Sequence, residues 1–267
     1  MNDIMQTRRN DMEGKHRITD AFARAKRENR GAFIAYLTAG FPSPEKCDAA
    51  LDDLAAGGAD VIELGVPFSD PFADGATIRS ACAKALENGT TLDTAIETAR
   101  RFRNRHPDTG IVVFSYFNPI FSKGLDAFAE AAAEAGIDAV LTVDTPLEER
   151  GEIIEAIRPR GISFIPLVAP STPRERIAAS VEGLENSFLY VITVQGTTGQ
   201  RTSLPENLAA RLDDIRQISP IPVAAGFGIS TKAQAEAVSA HADGFVVGSH
   251  IVAQLARDGK ISNPVLT

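Results

Sequence analysis

The sequence predicts an α/β fold, a (β/α)8 barrel with an additional N-terminal helix. Short apolar runs alternate with amphipathic stretches along the chain of 267 residues. The runs are continuously apolar, which is typical of parallel strands covered on both faces. Glycine and polar residues cluster directly after most of the runs, and this is where a barrel of this kind carries its chemistry.

The predicted elements follow one another in a regular order. An amphipathic helix over residues 16–28 precedes the first strand. The apolar runs predicted as strands are 32–37, 61–65, 111–116, 139–143, 163–168, 188–193, 222–225 and 244–247. The amphipathic stretches between them, predicted as helices, are 44–56, 76–103, 125–135, 148–157, 173–181, 205–215 and 232–240. This repetition of strand and helix predicts a TIM barrel.

A doubly wound open sheet is the alternative arrangement of such strands. It calls for a glycine-rich dinucleotide-binding turn after an early strand, and YLTAGFP at residues 36–42 is not one. No linker or low-complexity segment divides the chain. We therefore expect one barrel domain over residues 1–267, with a polar and flexible N-terminal extension over residues 1–15.

Composition and charge limit the classes of function. No apolar run approaches the length of a membrane span, and the polar N-terminus lacks the apolar core of a signal peptide, so a cytoplasmic protein is expected. The net charge of −8, without a basic face, argues against nucleic acid as a partner. An anionic ligand must then be held by local backbone geometry. Cys47 and Cys82 are too few for a disulfide framework and are predicted to be buried thiols.

The second strand and the loop after it carry the strongest candidate site, in the segment IELGVPFSDPFADG at residues 62–75. Glu63 lies in the middle of the apolar strand, on the face opposite Ile62 and Leu64. An isolated strand glutamate is more often a solvated edge residue. A glutamate on a strand covered on both faces is desolvated, and such carboxylates are usually functional. Asp74 on the following loop supplies a second carboxylate.

Three glycine clusters follow the last three strands, at residues 196–199, 226–230 and 248–249. Backbone N–H groups from the last loops and a helix N-terminus commonly hold a phosphate in a barrel. Glycine lets the backbone approach closely, and Ser249 adds a hydroxyl at a helix start. For any one cluster, turn glycines and N-cap serines are the ordinary alternative. The three clusters together favour a phosphate site.

Histidine and lysine are rare at the strand ends, and their rarity limits the reactions that the site could catalyse. His16, His106 and His241 fall outside the strand-end loops, and His250 is predicted on the final helix. A histidine base or a histidine-rich metal site is therefore not expected. Lys123 is the only lysine near a strand end, which disfavours a Schiff base. The remaining groups indicate acid–base chemistry on a phosphorylated substrate, without metal or cofactor.

All three tyrosines lie in or at the ends of predicted strands: Tyr36 in the first, Tyr116 in the third and Tyr190 in the sixth. Tyrosine offers a flat apolar face with a polar tip, which suits an aromatic substrate. Filling of the barrel interior is the alternative role. The pattern supports both roles.

The chain closely resembles the tryptophan synthase α subunits from about residue 17 to residue 255. The resemblance is carried by LGVPFSDPFADGATI at 64–78, YFNP at 116–119, GTTG at 196–199 and GFGIS at 226–230. It implies a barrel that reversibly cleaves indole-3-glycerol phosphate to indole and glyceraldehyde 3-phosphate in tryptophan biosynthesis. It also implies no cofactor on this chain, and a β subunit bearing pyridoxal phosphate as its partner in an α2β2 heterotetramer.

The resemblance also implies roles for single residues. Glu63 would move protons at indole C3 and at the side-chain hydroxyl, and Asp74 would bind the ring nitrogen. Tyr190 matches a tyrosine beside the catalytic glutamate, and Tyr116 lies beside the ring-binding region. The implied phosphate contacts are Gly199, Gly228, Gly248 and Ser249.

Further expectations concern the loops. Residues 67–74 and 118–121 are expected to face the partner, and Asp144 to order the loops. The chain departs from the family pattern at Ala76, Thr145 and Thr197, and at residues 194–195. Thr197 and residues 194–195 lie in the loop that closes over substrate in this family. These departures put loop closure and coupling to the partner in question, while Glu63 and Asp74 are intact.

Other functions share some of these features. A stand-alone lyase that releases free indole is not separated from the α subunit by sequence. A barrel that binds a sugar phosphate and regulates a partner has no need for a buried carboxylate such as Glu63. An isomerase of phosphorylated sugars is disfavoured by the lack of histidine at the strand ends.

Overall fold

A computed structural model describes residues 16–192, 206–226 and 228–261. The strands are β1 Ala32–Thr38, β2 Val61–Gly65, β3 Gly110–Ser115, β4 Ala139–Thr142, β5 Ser163–Phe164, β6 Leu167–Val168, β7 Leu189–Ile192, β8 Val223–Gly226 and β9 Gly244–Val247. The helices are α1 Arg17–Arg27, α2 Pro44–Ala56, α3 Ala76–Glu87, α4 Leu92–Arg105, α5 Phe117–Lys123, α6 Leu125–Glu134, α7 Gly151–Ile157, α8 Arg174–Val181, α9 Glu206–Ile218, α10 Lys232–Ser239 and α11 Ser249–Asp258. Within the described ranges, no helix is long and apolar enough to cross a membrane.

The strands form a parallel sheet in the order β5-β4-β3-β2-β1-β9-β8-β7-β6. The outer members β5 and β6 belong to one chain segment and are separated only by Ile165 and Pro166. The N–H of Ile165 bonds to Val140 at 2.8 Å on one side, and the Pro166 carbonyl accepts from Tyr190 at 2.9 Å on the other. The segment therefore joins both edges of the sheet and closes the predicted barrel. Because Pro166 has no N–H, the predicted strand 163–168 is split in two.

The inward-facing side chains fill the barrel in one apolar cluster. Its members from the strands include Ile34, Val61, Val112, Leu141, Ala224 and Val246, and Ile165 and Phe188, which lie next to strands, also belong to it. Ile18 and Phe22 of α1 belong to the same cluster. The additional N-terminal helix therefore covers the end of the barrel where the strands begin, and the opposite end, the mouth, is where the strands finish.

The prediction of one helix over residues 76–103 was wrong, because α3 and α4 are separate helices. The chain turns between them at Gly89, whose φ of 82° lies in the left-handed region that favours glycine. Thr91 then caps α4 by accepting the N–H of Thr94, and the Thr94 side chain bonds back to the Thr91 N–H. The Asn-Gly pair before a capping threonine was the sequence signal for this break.

Three aspartates tie the strands together at the end opposite the mouth. Asp60, Asp138 and Asp243 directly precede β2, β4 and β9, and each accepts a backbone N–H near the start of the neighbouring strand at 2.8–2.9 Å. Asp138 also binds Arg17 of α1 at 2.8 Å and Arg103 of α4 at 2.6 Å. Its side chain is only 3% exposed, so this ion-pair network is buried.

We expect Asp138→Asn to lower the free energy of unfolding by about 3 kcal/mol, because it removes the buried charge that two arginines share. Urea denaturation of the purified chain measures this. The matched control is Asp126→Asn, since Asp126 is 86% exposed and pairs with Arg160 at 3.1 Å. The control is expected to change stability by less than about 0.5 kcal/mol. Equal effects of the two substitutions would contradict the conclusion that the buried ion pairs of Asp138 stabilise the fold.

Candidate active site

Glu63 lies on the inward face of β2 at the barrel mouth. Its exposed fraction is 0%, as the strand pattern predicted. Both carboxyl oxygens are buried, and neither has a hydrogen-bond partner among the described residues. Burial raises the pKa of Glu63 to about 8. The side chain can therefore both give up and take a proton near neutral pH.

Two tyrosines lie close to Glu63, and their strand positions were predicted. Tyr36 pairs with Glu63 in the register between β1 and β2. Tyr190 is half-buried on β7. Burial, with the negative charge of Glu63 as a further cause, raises the pKa of both tyrosines well above the usual range. The two hydroxyls therefore keep their protons beside this carboxyl group.

Asp74 lies on the loop between β2 and α3, and Tyr116 holds it. The Tyr116 hydroxyl donates to Asp74 Oδ2 at 3.0 Å and accepts the Ala73 N–H at 2.9 Å. Burial raises the pKa of Asp74, and the hydrogen bond from Tyr116 opposes part of this rise. The loop after β3 therefore fixes the position of a carboxylate that belongs to the loop after β2.

Aromatic rings pack on Tyr36, the register partner of Glu63, and on Tyr116, which binds Asp74. Phe68 and Phe72 pack on Tyr116 with ring centroids 5.1 and 5.2 Å apart, and Phe114 of β3 meets Tyr36 edge-on at 5.3 Å. We call Tyr36, Phe68, Phe114 and Tyr116 the aromatic mouth. Such an enclosure with a few polar tips suits a flat apolar ring.

The candidate phosphate residues follow β8 and β9. Gly228 has a φ of 62°, in the region that favours glycine. Gly248 is the N-cap residue of α11, and Ser249 is its first helical residue. The first N–H groups of this helix have no acceptor within it and can bind an anion. Gly199 lies outside the described residues.

A family model described as "Tryptophan synthase alpha chain" matches residues 22–265. The chain belongs to this family. The tryptophan synthase alpha chain of Zymomonas mobilis is 43% identical over 236 residues, 88% of this chain and 86% of that protein.

Solved structures agree with the sequence relatives. A Mycobacterium tuberculosis tryptophan synthase structure matches with a TM-score of 0.83 and 34% identity, covering 90% of this chain and 91% of that one. The tryptophan synthase subunit alpha of Legionella pneumophila matches with a TM-score of 0.82 and 31% identity, covering 92% of both chains. These matches confirm the (β/α)8 barrel.

The departures from the family pattern have different structural settings. Ala76 is the first residue of α3. The hydroxyl of Thr145 is buried and has no partner among the described residues. Residues 194–195 and Thr197 lie outside the described ranges. Asp144, which was expected to order the loops, accepts the N–H of Phe117 at the start of α5 at 2.8 Å.

Three residues near Tyr36 were not among the predicted site residues: Thr38, Gly65 and Cys82. The Tyr36 hydroxyl lies 3.4 Å from Thr38 Oγ1. A Cβ at Gly65 would lie only 2.6 Å from Tyr36 Cζ, so the Tyr36 ring needs glycine there. Cys82 of α3 is a buried thiol, as predicted, and burial raises its pKa to about 11. The two-residue period that turns Glu63 inward also turns Gly65 inward, and this was the available signal.

The sequence predicted no catalytic role for a metal site, for a histidine or for the two cysteines. In the described parts of the chain, no three His, Cys, Asp or Glu side chains lie close enough to hold a metal ion. His250 lies on α11, as predicted. Cys47 is buried like Cys82, and burial raises its pKa to about 12. Neither thiol has the lowered pKa of a cysteine nucleophile.

Proposed function

We propose that this chain is the α subunit of tryptophan synthase, and that Glu63 and Asp74 carry its reaction. The reaction is the carbon–carbon cleavage of indole-3-glycerol phosphate to indole and glyceraldehyde 3-phosphate. The observation that supports these roles best is the Glu63 carboxyl group, which is fully buried and has no hydrogen-bond partner among the described residues. A pure binding protein would gain nothing from such a desolvated carboxyl group.

One proton moves from the substrate hydroxyl to the indole ring in this cleavage. With a pKa of about 8, Glu63 is largely protonated at neutral pH and gives its proton to C3. It then takes the proton of the hydroxyl on the carbon attached to C3. The bond between these carbons breaks, its electron pair returns to the ring, and the hydroxyl-bearing carbon becomes the aldehyde. Glu63 ends protonated, as it began.

Asp74 is proposed to stabilise the charge that develops on the ring. Protonation at C3 places positive charge on the ring nitrogen until the bond breaks. A carboxylate that accepts the ring N–H is more strongly bound to the charged ring than to neutral substrate, which lowers the barrier. Tyr116 supports this role because its hydrogen bond at 3.0 Å fixes one Asp74 oxygen.

The remaining site residues are proposed to position the substrate. Tyr36, Tyr116 and Tyr190 would contact the ring and its neighbourhood. The phosphate would bind at Gly199, Gly228, Gly248 and Ser249. Proton transfer supplies about 10²–10⁴-fold acceleration, so such positioning must supply much of the rest.

The partner of this subunit is the tryptophan synthase β subunit, which carries pyridoxal phosphate; the α chain of this family uses no cofactor. Two large side chains in the segments expected to face it are exposed: Phe72 is 74% and Phe121 is 59% exposed. Exposed aromatic residues of this kind are favourable at a protein interface. We propose an α2β2 heterotetramer that works in the cytoplasm.

Indole release from indole-3-glycerol phosphate, with and without a β subunit, tests the function. Turnover that rises sharply with the β subunit supports the α subunit of the complex. Full turnover without it would favour the stand-alone lyase. Binding of substrate without turnover in either case would overturn the enzyme assignment and leave a sugar-phosphate-binding barrel.

Tyr116→Phe is expected to lower kcat/KM for cleavage about 10- to 100-fold. The substitution keeps the ring but removes the hydrogen bond to Asp74, which is worth roughly 1.5–3 kcal/mol, and also the acceptor of the Ala73 N–H. Steady-state kinetics of indole release measure the effect, and the thermal unfolding midpoint shows whether the fold is retained. A folded variant whose kcat/KM stays within twofold of wild type would contradict the supporting role of Tyr116.

A further inference from the structure

The loop that carries Asp74 is attached to the end of β3 through Tyr116. The Tyr116 hydroxyl donates to Asp74 at 3.0 Å and accepts the Ala73 N–H at 2.9 Å. Phe68 and Phe72 pack on the Tyr116 ring, but both belong to the same loop between β2 and α3. They move with Asp74 and cannot anchor Tyr116. The position of Asp74 therefore depends on what holds the backbone of Tyr116.

Two hydrogen bonds hold the peptide unit that follows Tyr116. The carbonyl of Tyr116 accepts the Ser115 hydroxyl at 2.8 Å. The N–H of this unit belongs to Phe117 and donates to Asp144 Oδ1 at 2.8 Å. Asp144 lies within reach because β4 continues to pair with β3 past its last residue, where the Val143 N–H bonds to the Ser115 carbonyl at 3.1 Å. The orientation of this peptide unit is therefore set from both sides.

Asp144 also supplies a helix cap that Tyr116 does not provide. Tyr116 is the N-cap residue of α5, but its side chain makes no capping bond, because its hydroxyl is at Asp74. The N–H of Phe117, the first helical residue, has no acceptor within the helix. A carboxylate is favoured at this position, since it accepts the N–H and lies at the positive end of the helix dipole.

We infer that Asp144 is a positioning residue for the cleavage reaction. By holding the start of α5, it keeps Tyr116, and through Tyr116 the Asp74 carboxylate, where the indole nitrogen binds. Asp144 itself touches neither the substrate nor a reacting atom. The inference rests on the proposed function, because Asp74 must act on the ring for its position to matter.

A double-mutant cycle tests this inference. The kcat/KM for indole release is measured for wild type, Asp144→Ala, Tyr116→Phe and the double variant, with the β subunit at saturating concentration. Asp144→Ala alone should lower kcat/KM about 5-fold, which corresponds to the usual cost of a lost helix cap, about 1 kcal/mol. In the Tyr116→Phe background no hydroxyl holds Asp74, so the same substitution should lower kcat/KM less than twofold.

A merely structural role of Asp144 would give a different result. If Asp144 only stabilised the fold or the docking of the partner, its removal would lower kcat/KM by the same factor in both backgrounds. Equal factors would therefore overturn the inference, as would an Asp144→Ala enzyme with unchanged kcat/KM. Failure of wild type to release indole at all would instead overturn the proposed function.

Two further variants separate the bond to Phe117 from other effects of the substitution. Asp144→Asn keeps an oxygen that can accept the Phe117 N–H, so it should restore kcat/KM to within twofold of wild type. Asp93→Ala is the matched control, because Asp93 binds Lys123 at the opposite end of α5 at 2.6 Å. It should also stay within twofold. Loss of activity in either variant equal to that of Asp144→Ala would count against the inference.

Discussion

Glu63→Gln is expected to lower the kcat for indole release by at least about 10²-fold and up to 10⁴-fold, which is the usual contribution of a general acid–base group. Glutamine keeps the size of the side chain but has no proton to exchange near neutral pH. Because Glu63 has no hydrogen-bond partner among the described residues, the substitution breaks none there. KM should change by only a few fold, since the lost interaction belongs to the transition state.

The control for this experiment is the same substitution at an exposed glutamate. Glu155 lies on the solvent side of α7, away from the mouth, and Glu155→Gln should leave kcat within twofold of wild type. Both variants are assayed in the presence of the β subunit. A Glu63→Gln enzyme that retains a tenth or more of the wild-type kcat would show that another group moves the protons.

The burial of Glu63 was predictable because it depends on local pattern alone. The alternation around Glu63 sets its direction, and the continuous apolar strands on either side require both faces to be covered. The position of Asp74 depends instead on a hydrogen bond from Tyr116, which is 42 residues away in the chain. Such a contact follows from the closure of the barrel, and residue spacing in the sequence does not predict it.

The residues that escaped prediction share this dependence on distant parts of the chain. Asp138 is an unremarkable acidic residue before a strand until α1 and α4 bring Arg17 and Arg103 to it. Gly65 looks like the end of a strand, and only the neighbouring Tyr36 shows why it lacks a side chain. Pairing between strands and helices created these sites, whereas the periodicity of a strand or helix is visible within a few residues.

A buried, unbonded carboxyl group has a cost to the fold, and the cost depends on pH. The pKa of Glu63 is about 8 in the folded chain and about 4.5 when the side chain is exposed to water. Between these values the unfolded chain releases the proton while the folded chain keeps it. Rising pH therefore favours the unfolded state between pH 4.5 and pH 8. Above pH 8 the free energy of unfolding loses no more through Glu63.

Glu63→Gln is accordingly expected to stabilise the chain at alkaline pH, because glutamine does not titrate. Each pKa unit corresponds to about 1.4 kcal/mol, so the variant should gain on the order of 4 kcal/mol over wild type by pH 9. At pH 4.5 and below the gain should be near zero. Free energies of unfolding from urea denaturation at pH 4.5, 7 and 9 measure it.

The same residue would then limit stability and enable catalysis. Glu155→Gln should show no comparable gain between pH 4.5 and 9, since that side chain is exposed in the folded chain. A constant difference between Glu63→Gln and wild type at all three pH values would mean that Glu63 titrates alike in both states. The proton transfer proposed for it near neutral pH would then lose its physical basis, because that role depends on the raised pKa that burial produces.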